Sequence, residues 1–254
     1  MARRILVTGG TGTLGRRVTR ELAQAGVTVR VLTRSLPAQP DPHYEWAEGD
    51  YVRGAGLAQA FEDVDAVLHT AHDPQQPGRD LAGVARLHSF SLAAGIRHFT
   101  QVGIVGVERM PGLAYYAAKA RAEELLRRSG LPASVFRATQ FHPFVHSLLS
   151  DLGRLPLLPV PQGLLQPVDV DEVAAALAEH VLRGQHDTES FAGPQVLSIA
   201  ELAGQTLAAA GQHKRVVSLK LPVPMLRALH RGVLTDPGAA RGKRTFAEWL
   251  ATEK

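Results

Sequence analysis

Along the first 140 positions, short apolar runs rich in β-branched residues alternate with segments whose apolar residues recur at helical spacing. Arg4–Thr8 reads as a strand and Leu14–Ala25 as a helix. Val27–Thr33 predicts a second strand and Tyr44–Ala47 a weaker third. Gly54–Phe61 reads as a helix, Ala66–Thr70 as a strand, and Arg79–Ala94 as a helix. His98–Val102 predicts a strand, Ala114–Arg128 a long helix, and Ala133–Arg137 the strand that closes the series. Alternation at this spacing predicts an α/β fold around a doubly wound parallel sheet. The second half is less regular. Leu155–Gln166 reads as an apolar loop and Val170–Leu182 as a helix with an acidic start. Ile199–Ala210, Pro222–Leu229 and Phe246–Thr252 predict further helices. Two domains are expected: residues 1–152 around the sheet, and residues 153–254 as a smaller, partly interleaved lobe over its carboxyl edge.

Composition narrows this picture. With 254 residues, 45% apolar and 20% charged, the chain suits a globular fold with a sizeable core and not a disordered one. It has no cysteine, which excludes disulfides, thiolate metal ligands and a cysteine nucleophile. That fits a reducing, cytoplasmic setting. No apolar run is long enough to span a bilayer, and glycines interrupt the first one too early for a secretory leader. The net charge of +4 hides an uneven distribution: +6 over residues 1–40, −8 over 41–210, and +6 over 211–254. Basic ends suit either an anionic ligand or solvated faces.

The most informative segment is Gly9-Gly10-Thr11-Gly12-Thr13-Leu14-Gly15, directly after the first strand and opening the first helix. Glycines at this spacing permit a tight turn, close backbone approach to a pyrophosphate and close helix–strand packing. The helix N-terminus then offers N–H groups to the phosphates. Dinucleotide binding is therefore expected at Gly9, Thr11, Gly12, Thr13, Leu14 and Gly15. The second strand ends in Arg34, not in the acid that would hold a ribose diol. A guanidinium suits a 2′-phosphate, so NADP(H) is expected over NAD(H); the alternative is a solvated strand end. Asp50 either accepts from the adenine amine or caps the following helix. The small residues Thr70 and Ala71, at the end of the fourth strand, would admit the cofactor's ribose.

These segments, together with Val102–Val107, Tyr115–Lys119, Arg137–His142, Gln166–Val170 and Thr245–Leu250, resemble the atypical short-chain dehydrogenase/reductases, in particular their NmrA-like, NAD(P)H-binding branch. The resemblance covers most of the chain. It implies a Rossmann domain carrying NADP(H), a small C-terminal substrate lobe, and Gln140 among the residues near the cofactor. It also implies roles for Tyr115 and Lys119, spaced i, i+4 on one helix. The lysine would hold the nicotinamide ribose and favour the phenolate; the tyrosine would exchange a proton with the substrate. One departure is plain. Gly103 stands where the superfamily places a serine or threonine, and Thr100 or Gln101 could replace that donor only in a different register.

Other groupings carry less. His142 and His146 have i, i+4 spacing, but Pro143 biases His142 away from helical geometry, and no metal site is expected. Asp169, Asp171 and Glu172 read as helix caps. The basic C-terminal segment shows no nucleic-acid motif and reads as a solvated basic face. Leu155–Gln166 walls an apolar substrate pocket next to the nicotinamide, forms a dimer contact, or packs the lobe. The expected activity is NADPH-dependent hydride transfer to a small apolar or aromatic acceptor, such as a quinone, enone or carbonyl. The protein would be a monomer or homodimer, with no nucleic-acid or membrane partner. The alternative is a non-catalytic NADP(H)-binding redox sensor acting through a protein partner, which Gly103 favours.

Overall fold

The structure, a computed structural model, describes residues 4–152, 157–184 and 186–253. In chain order its elements are β1 (Arg4–Thr8), α1 (Gly15–Gln24), β2 (Thr28–Thr33), β3 (Glu45–Glu48), α2 (Leu57–Ala60), β4 (Ala66–His69), α3 (Pro77–Ala93) and β5 (His98–Ile104). They continue with α4 (Ala114–Arg128), β6 (Ala133–Ala138), α5 (His142–Leu152), β7 (Leu158–Pro161), β8 (Leu164–Leu165), α6 (Val170–Arg183) and β9 (Thr188–Ala192). The last are β10 (Leu197–Ser198), α7 (Ile199–Ala209), β11 (Val216–Leu219), α8 (Pro224–His230), β12 (Ala240–Arg241) and α9 (Phe246–Thr252).

The continuous apolar run Ile5-Leu6-Val7 is fully buried in β1. Strands shielded on both faces by helices read as such runs, whereas half-exposed strands alternate. β1 pairs in parallel with β2 on one side and β4 on the other. β3 continues from β2, and β5 from β4, again in parallel. The full order is β12-β9-β6-β5-β4-β1-β2-β3, so β3 to β6 follow the doubly wound 3-2-1-4-5-6 sequence. The order reverses between β1 and β4, and the carboxyl ends of these strands open there.

The chain divides into two compact units. The first comprises 1–103, 118–136 and 174–189. Its core gathers Leu6, Leu32, Leu57, Phe61, Val67, Leu87, Phe99 and Leu126. The second comprises 104–117, 137–173 and 190–254. Its main core joins Val145, Leu158, Val160, Leu202, Phe246 and Trp249. The chain thus enters each unit more than once.

Several boundaries and elements differ from the sequence reading. The helix expected over Gly54–Phe61 is confined to Leu57–Ala60, because Gly54 and Gly56 have φ of +83° and +71°. A Cβ on Gly56 would lie 2.2 Å from the Glu48 carbonyl oxygen, so this turn admits only glycine. The apolar loop Leu155–Gln166 contains β7 and β8 in its described part; residues 155 and 156 lie outside the described residues. β7 pairs with β11 in parallel and β8 with β10 antiparallel. Leu158, Val160 and Leu165 pack into the second unit's core, in line with the packing alternative. Pro143 does not hold His142 outside a helix. It is the second residue of α5, in the first turn, where a missing N–H leaves no bond unmade.

Two buried imidazoles tie stability to pH. The His88 ring meets Phe99 edge-on at 5.0 Å, and burial lowers its pKa to about 4. The His142 ring lies 5.6 Å from that of Phe246 and 5.8 Å from that of Trp249, and burial again lowers its pKa to about 4. The unfolded chain takes up these protons near pH 6.5, and the folded chain only near 4. Stability therefore falls as pH drops from about 6.5 towards 4, by up to about 3 kcal/mol per imidazole. Urea unfolding at pH 7 and pH 5 should show this loss, and His88→Gln should lose less than the wild type between the two. An identical pH dependence in both proteins would refute the assignment to His88.

Candidate functional site

The turn from β1 into α1 is shaped by what glycine lacks. Gly9 has φ +74°, and a Cβ there would sit 2.6 Å from the Ala71 nitrogen. A Cβ on Gly15 would lie 1.9 Å from the Gly9 carbonyl oxygen. Neither position can carry any other residue without displacing backbone. The Gly12 N–H donates to the Gly9 carbonyl at 2.9 Å, which closes the turn. Thr11, Gly12 and Thr13 are exposed, while Leu14 and Gly15 are buried beneath them. The first turn of α1 has no acidic residue and no side-chain cap. Arg16 and Arg17 fold back to donate to the carbonyls of Gly12 and Thr13, at 3.3 and 2.8 Å. An exposed glycine loop leading into a helix N-terminus without a carboxylate, bordered by two guanidinium groups, fits a pyrophosphate.

The neighbouring strand ends complete this edge of the first unit. Arg34 follows β2, where Thr33 and Ser35 close a side-chain turn through the Thr33 hydroxyl. Its side chain is exposed. The Asp50 carboxylate accepts from the Val52 and Arg53 N–H groups at 2.8 and 3.2 Å and so closes the turn over residues 51–54; it does not cap α2, whose N-cap is Gly56. Thr70 donates its hydroxyl to the Thr8 carbonyl at 2.8 Å, which locks the end of β4 to that of β1 and sets Ala71 against Gly9.

Beneath these ends runs a buried polar row. Thr8, His69 and Gln101 occupy one register across β1, β4 and β5. The Thr8 hydroxyl and His69 Nδ1 are 2.7 Å apart. Thr100 pairs in register with Leu68, and its hydroxyl lies 3.3 Å from that of Ser134. The shifted register that would bring Thr100 or Gln101 to the end of β5 is therefore not adopted. Gly103 occupies that stretch of β5 without a side chain.

Tyr115 and Lys119 lie one turn apart on α4, the helix expected over Ala114–Arg128. The adjacent Tyr116 packs against the cluster of Met110, Ala228, Val233 and Leu234, and burial raises its pKa. Core packing thus falls to Tyr116. Lys119 is 8% exposed, and burial lowers its pKa, opposed by the charges of Asp80 and Glu123. Glu123 is a further turn along α4 and also buried. Asp80, in the first turn of α3, accepts a short hydrogen bond from the Tyr51 hydroxyl, whose pKa rises through burial and this contact. Nothing in the local sequence marked Asp80 or Tyr51. The one trace is Gly83, where a Cβ would meet the Tyr51 ring at 2.7 Å.

Gln140 belongs to the second unit, where its amide is engaged at both ends. Nε2 donates to the Leu234 carbonyl at 3.0 Å, and Oε1 accepts from the Gln166 N–H at 3.1 Å. Asp169 accepts from the N–H groups of Asp171 and Glu172, as expected of a cap, and pairs with Arg244 at 2.8 Å. Among the described residues, no helix is long and apolar enough to cross a membrane.

Comparison with known proteins places this geometry. A family described as NAD(P)H-binding matches residues 9–142. A (4-alkanoyl-5-oxo-2,5-dihydrofuran-3-yl)methyl phosphate reductase of Streptomyces griseus is 29% identical over 230 residues, covering 85% of this chain and 77% of the relative. An NAD(P)H azoreductase of Xenophilus azovorans is 27% identical over 228 residues, with the same coverage of 85% and 77%. Among solved structures, an NADPH-dependent quinone oxidoreductase of Escherichia coli, complexed with NADPH, aligns with a TM-score of 0.77 at 18% identity, covering 97% of this chain and 98% of that one. At that identity the likeness is one of fold. The family match spans more than half of the sequence and begins in the glycine turn: the chain belongs to the NAD(P)H-binding family.

Proposed function

We propose that the protein is an NADPH-dependent reductase acting on a small apolar or aromatic acceptor, such as a quinone, enone or carbonyl. The observation that carries this reading is Lys119, a buried ammonium one turn after Tyr115, in the unit that holds the glycine turn. A buried charge is costly unless it serves a partner. The ribose hydroxyls of a dinucleotide would be that partner. Names of the relatives point the same way, since two are reductases and one an NADPH-dependent quinone oxidoreductase. Bound NADPH supplies the hydride.

In this reading the N–H groups of Thr11, Thr13 and Leu14 take the pyrophosphate, with Gly9, Gly12 and Gly15 allowing its approach. Arg34 takes the 2′-phosphate. Thr70 and Ala71 border the ribose, and Asp50 and Gln140 line the cofactor's edges while serving their structural bonds. Lys119 holds the nicotinamide ribose, and Tyr115 delivers the proton that must accompany hydride addition. With Gly103 offering no donor, acceptors that spread their developing charge, as quinones do, suit the site better than simple ketones. The setting is cytoplasmic, and the protein acts as a monomer or homodimer. Gly103 also supports a second reading, a non-catalytic NADP(H) sensor that acts through a protein partner.

Following NADPH absorbance with a panel of quinones, enones and carbonyls separates the two. Turnover on at least one acceptor, lowered at least tenfold by Tyr115→Phe, is expected; tight NADPH binding with no turnover on any acceptor would favour the sensor. Arg34→Ala should weaken NADPH binding by roughly tenfold to a hundredfold and leave NADH nearly unchanged, as loss of a charge-assisted contact requires. Equal losses for both would remove Arg34 from the 2′-phosphate site. Because burial lowers the Lys119 pKa, its ammonium is lost at lower pH than a free lysine's. NADPH affinity should therefore decline as pH rises into the alkaline range, and Lys119→Met should flatten that dependence. An unchanged profile in Lys119→Met would exclude the lysine from cofactor binding.

A further inference from the structure

The second unit has a cleft that the proposed reaction does not use. It encloses about 320 Å³ and is lined by Gln162, Leu221, Pro222, Leu226, Lys220, Arg227 and His230. One wall is the segment between β11 and α8. Leu219, Leu221 and Val223 on that segment are 40–44% exposed, an unusual run of large apolar residues facing solvent. Pro222 and Pro224 stiffen the segment, and the Gln162 N–H ties it to β7 by donating to the Leu219 carbonyl at 2.9 Å. The other wall is α8. This helix buries Ala228 and turns Met225 and Leu229 towards the cluster of Met110, Val233 and Leu234, which leaves Leu226 and His230, one turn apart, for the cleft.

The charge around this apolar floor is of one sign. From Leu202 to Thr235 the sequence contains no aspartate or glutamate. Lys220, Arg227 and His230 border the cleft, whose lining is almost wholly apolar. Arg227 is oriented by donating to the Pro222 carbonyl at 3.1 Å, and among the described residues neither it nor Lys220 has a carboxylate partner. Cations gathered beside an unfilled apolar surface are complementary to a ligand that is apolar along its length and anionic at one end.

We propose that this cleft binds an amphiphilic carboxylate, with the alkyl chain on Leu221, Pro222 and Leu226 and the head group at Lys220 and Arg227. The site is independent of the dinucleotide edge, which lies in the other unit. Octanoate, decanoate and decanol, each kept below its aggregation limit, serve as probes. Binding is read by calorimetry and by backbone amide NMR shifts of the full chain. Decanoate should bind more tightly than octanoate, by roughly threefold to fourfold per added methylene, as burial of each methylene predicts. Decanol should bind at least tenfold more weakly than decanoate. The shifts should map to Gln162 and residues 219–231. Lys220→Gln combined with Arg227→Gln should weaken decanoate at least tenfold and leave NADPH affinity unchanged, and Leu226→Asp should abolish chain-length dependence. Equal affinity for decanol and decanoate would overturn the head-group assignment. Shifts scattered beyond Gln162 and residues 219–231, or capture by anionic phosphatidylglycerol vesicles without binding of monomeric decanoate, would overturn the site itself.

Discussion

The contact between the Gly9 carbonyl and the α-carbon of Gly15 is the constraint on which the rest of the nucleotide edge depends. With 1.9 Å between that oxygen and any Cβ at position 15, helix and strand meet at a distance that only glycine allows. This approach starts α1 immediately after β1 and aims its N-terminus over the point where the strand order reverses. The same tightness propagates sideways. Ala71 fits against Gly9 because Thr70 is anchored to the Thr8 carbonyl, so the ends of β1 and β4 are held as one surface. The family match beginning at residue 9 therefore coincides with a mechanical feature as well as a sequence pattern.

Electrostatics works around this frame by omission as much as by placement. The first turn of α1 carries no acid and no side-chain cap, so no carboxylate opposes an anion at that end of the helix. Deeper in the same unit, burial disfavours the Lys119 ammonium while two buried carboxylates, Asp80 and Glu123, offset that cost. Asp80 in turn accepts a hydrogen bond from the Tyr51 hydroxyl.

Much of this was legible in the sequence where signals were local. β1 to β6 and their helices follow from alternation of period, and α4 and α9 have the expected limits. Legibility failed where structure rests on distant partners. β7 pairs with β11 through Leu158 and Val216, 58 residues apart, and both strands are short. No local periodicity encodes such a pair. β10 and β12 have two residues each, too few for any pattern. Yet two cap signals were present and unused: Ser198 with Glu201, and Thr245 with Glu248, form reciprocal boxes at α7 and α9. In the site, the glycines, Arg34 and Lys119 could be singled out because their chemistry is unusual at their positions. Asp80 and Tyr51 could not, since only tertiary packing brings them together.

The C-terminal excess of positive charge shows how packing sorts residues that composition treats alike. Lys243 and Arg244 sit where their backbone N–H groups reach the Glu172 carboxylate, and the Arg244 guanidinium reaches Asp169. Asp169 is 3% exposed, so Arg244 neutralises a carboxylate that solvent cannot, and its charge is committed to the fold. Lys220 and Arg227 belong to the same basic segment, but no acid occurs within 15 residues of Lys220 in either direction along the chain. They sit beside exposed leucines that the fold leaves uncovered. A solvated basic face would need no such apolar neighbours, whereas committed structural charges would need acids. Lys220 and Arg227 satisfy neither description, and that is the physical ground for treating the cleft as a binding surface distinct from the rest of the segment.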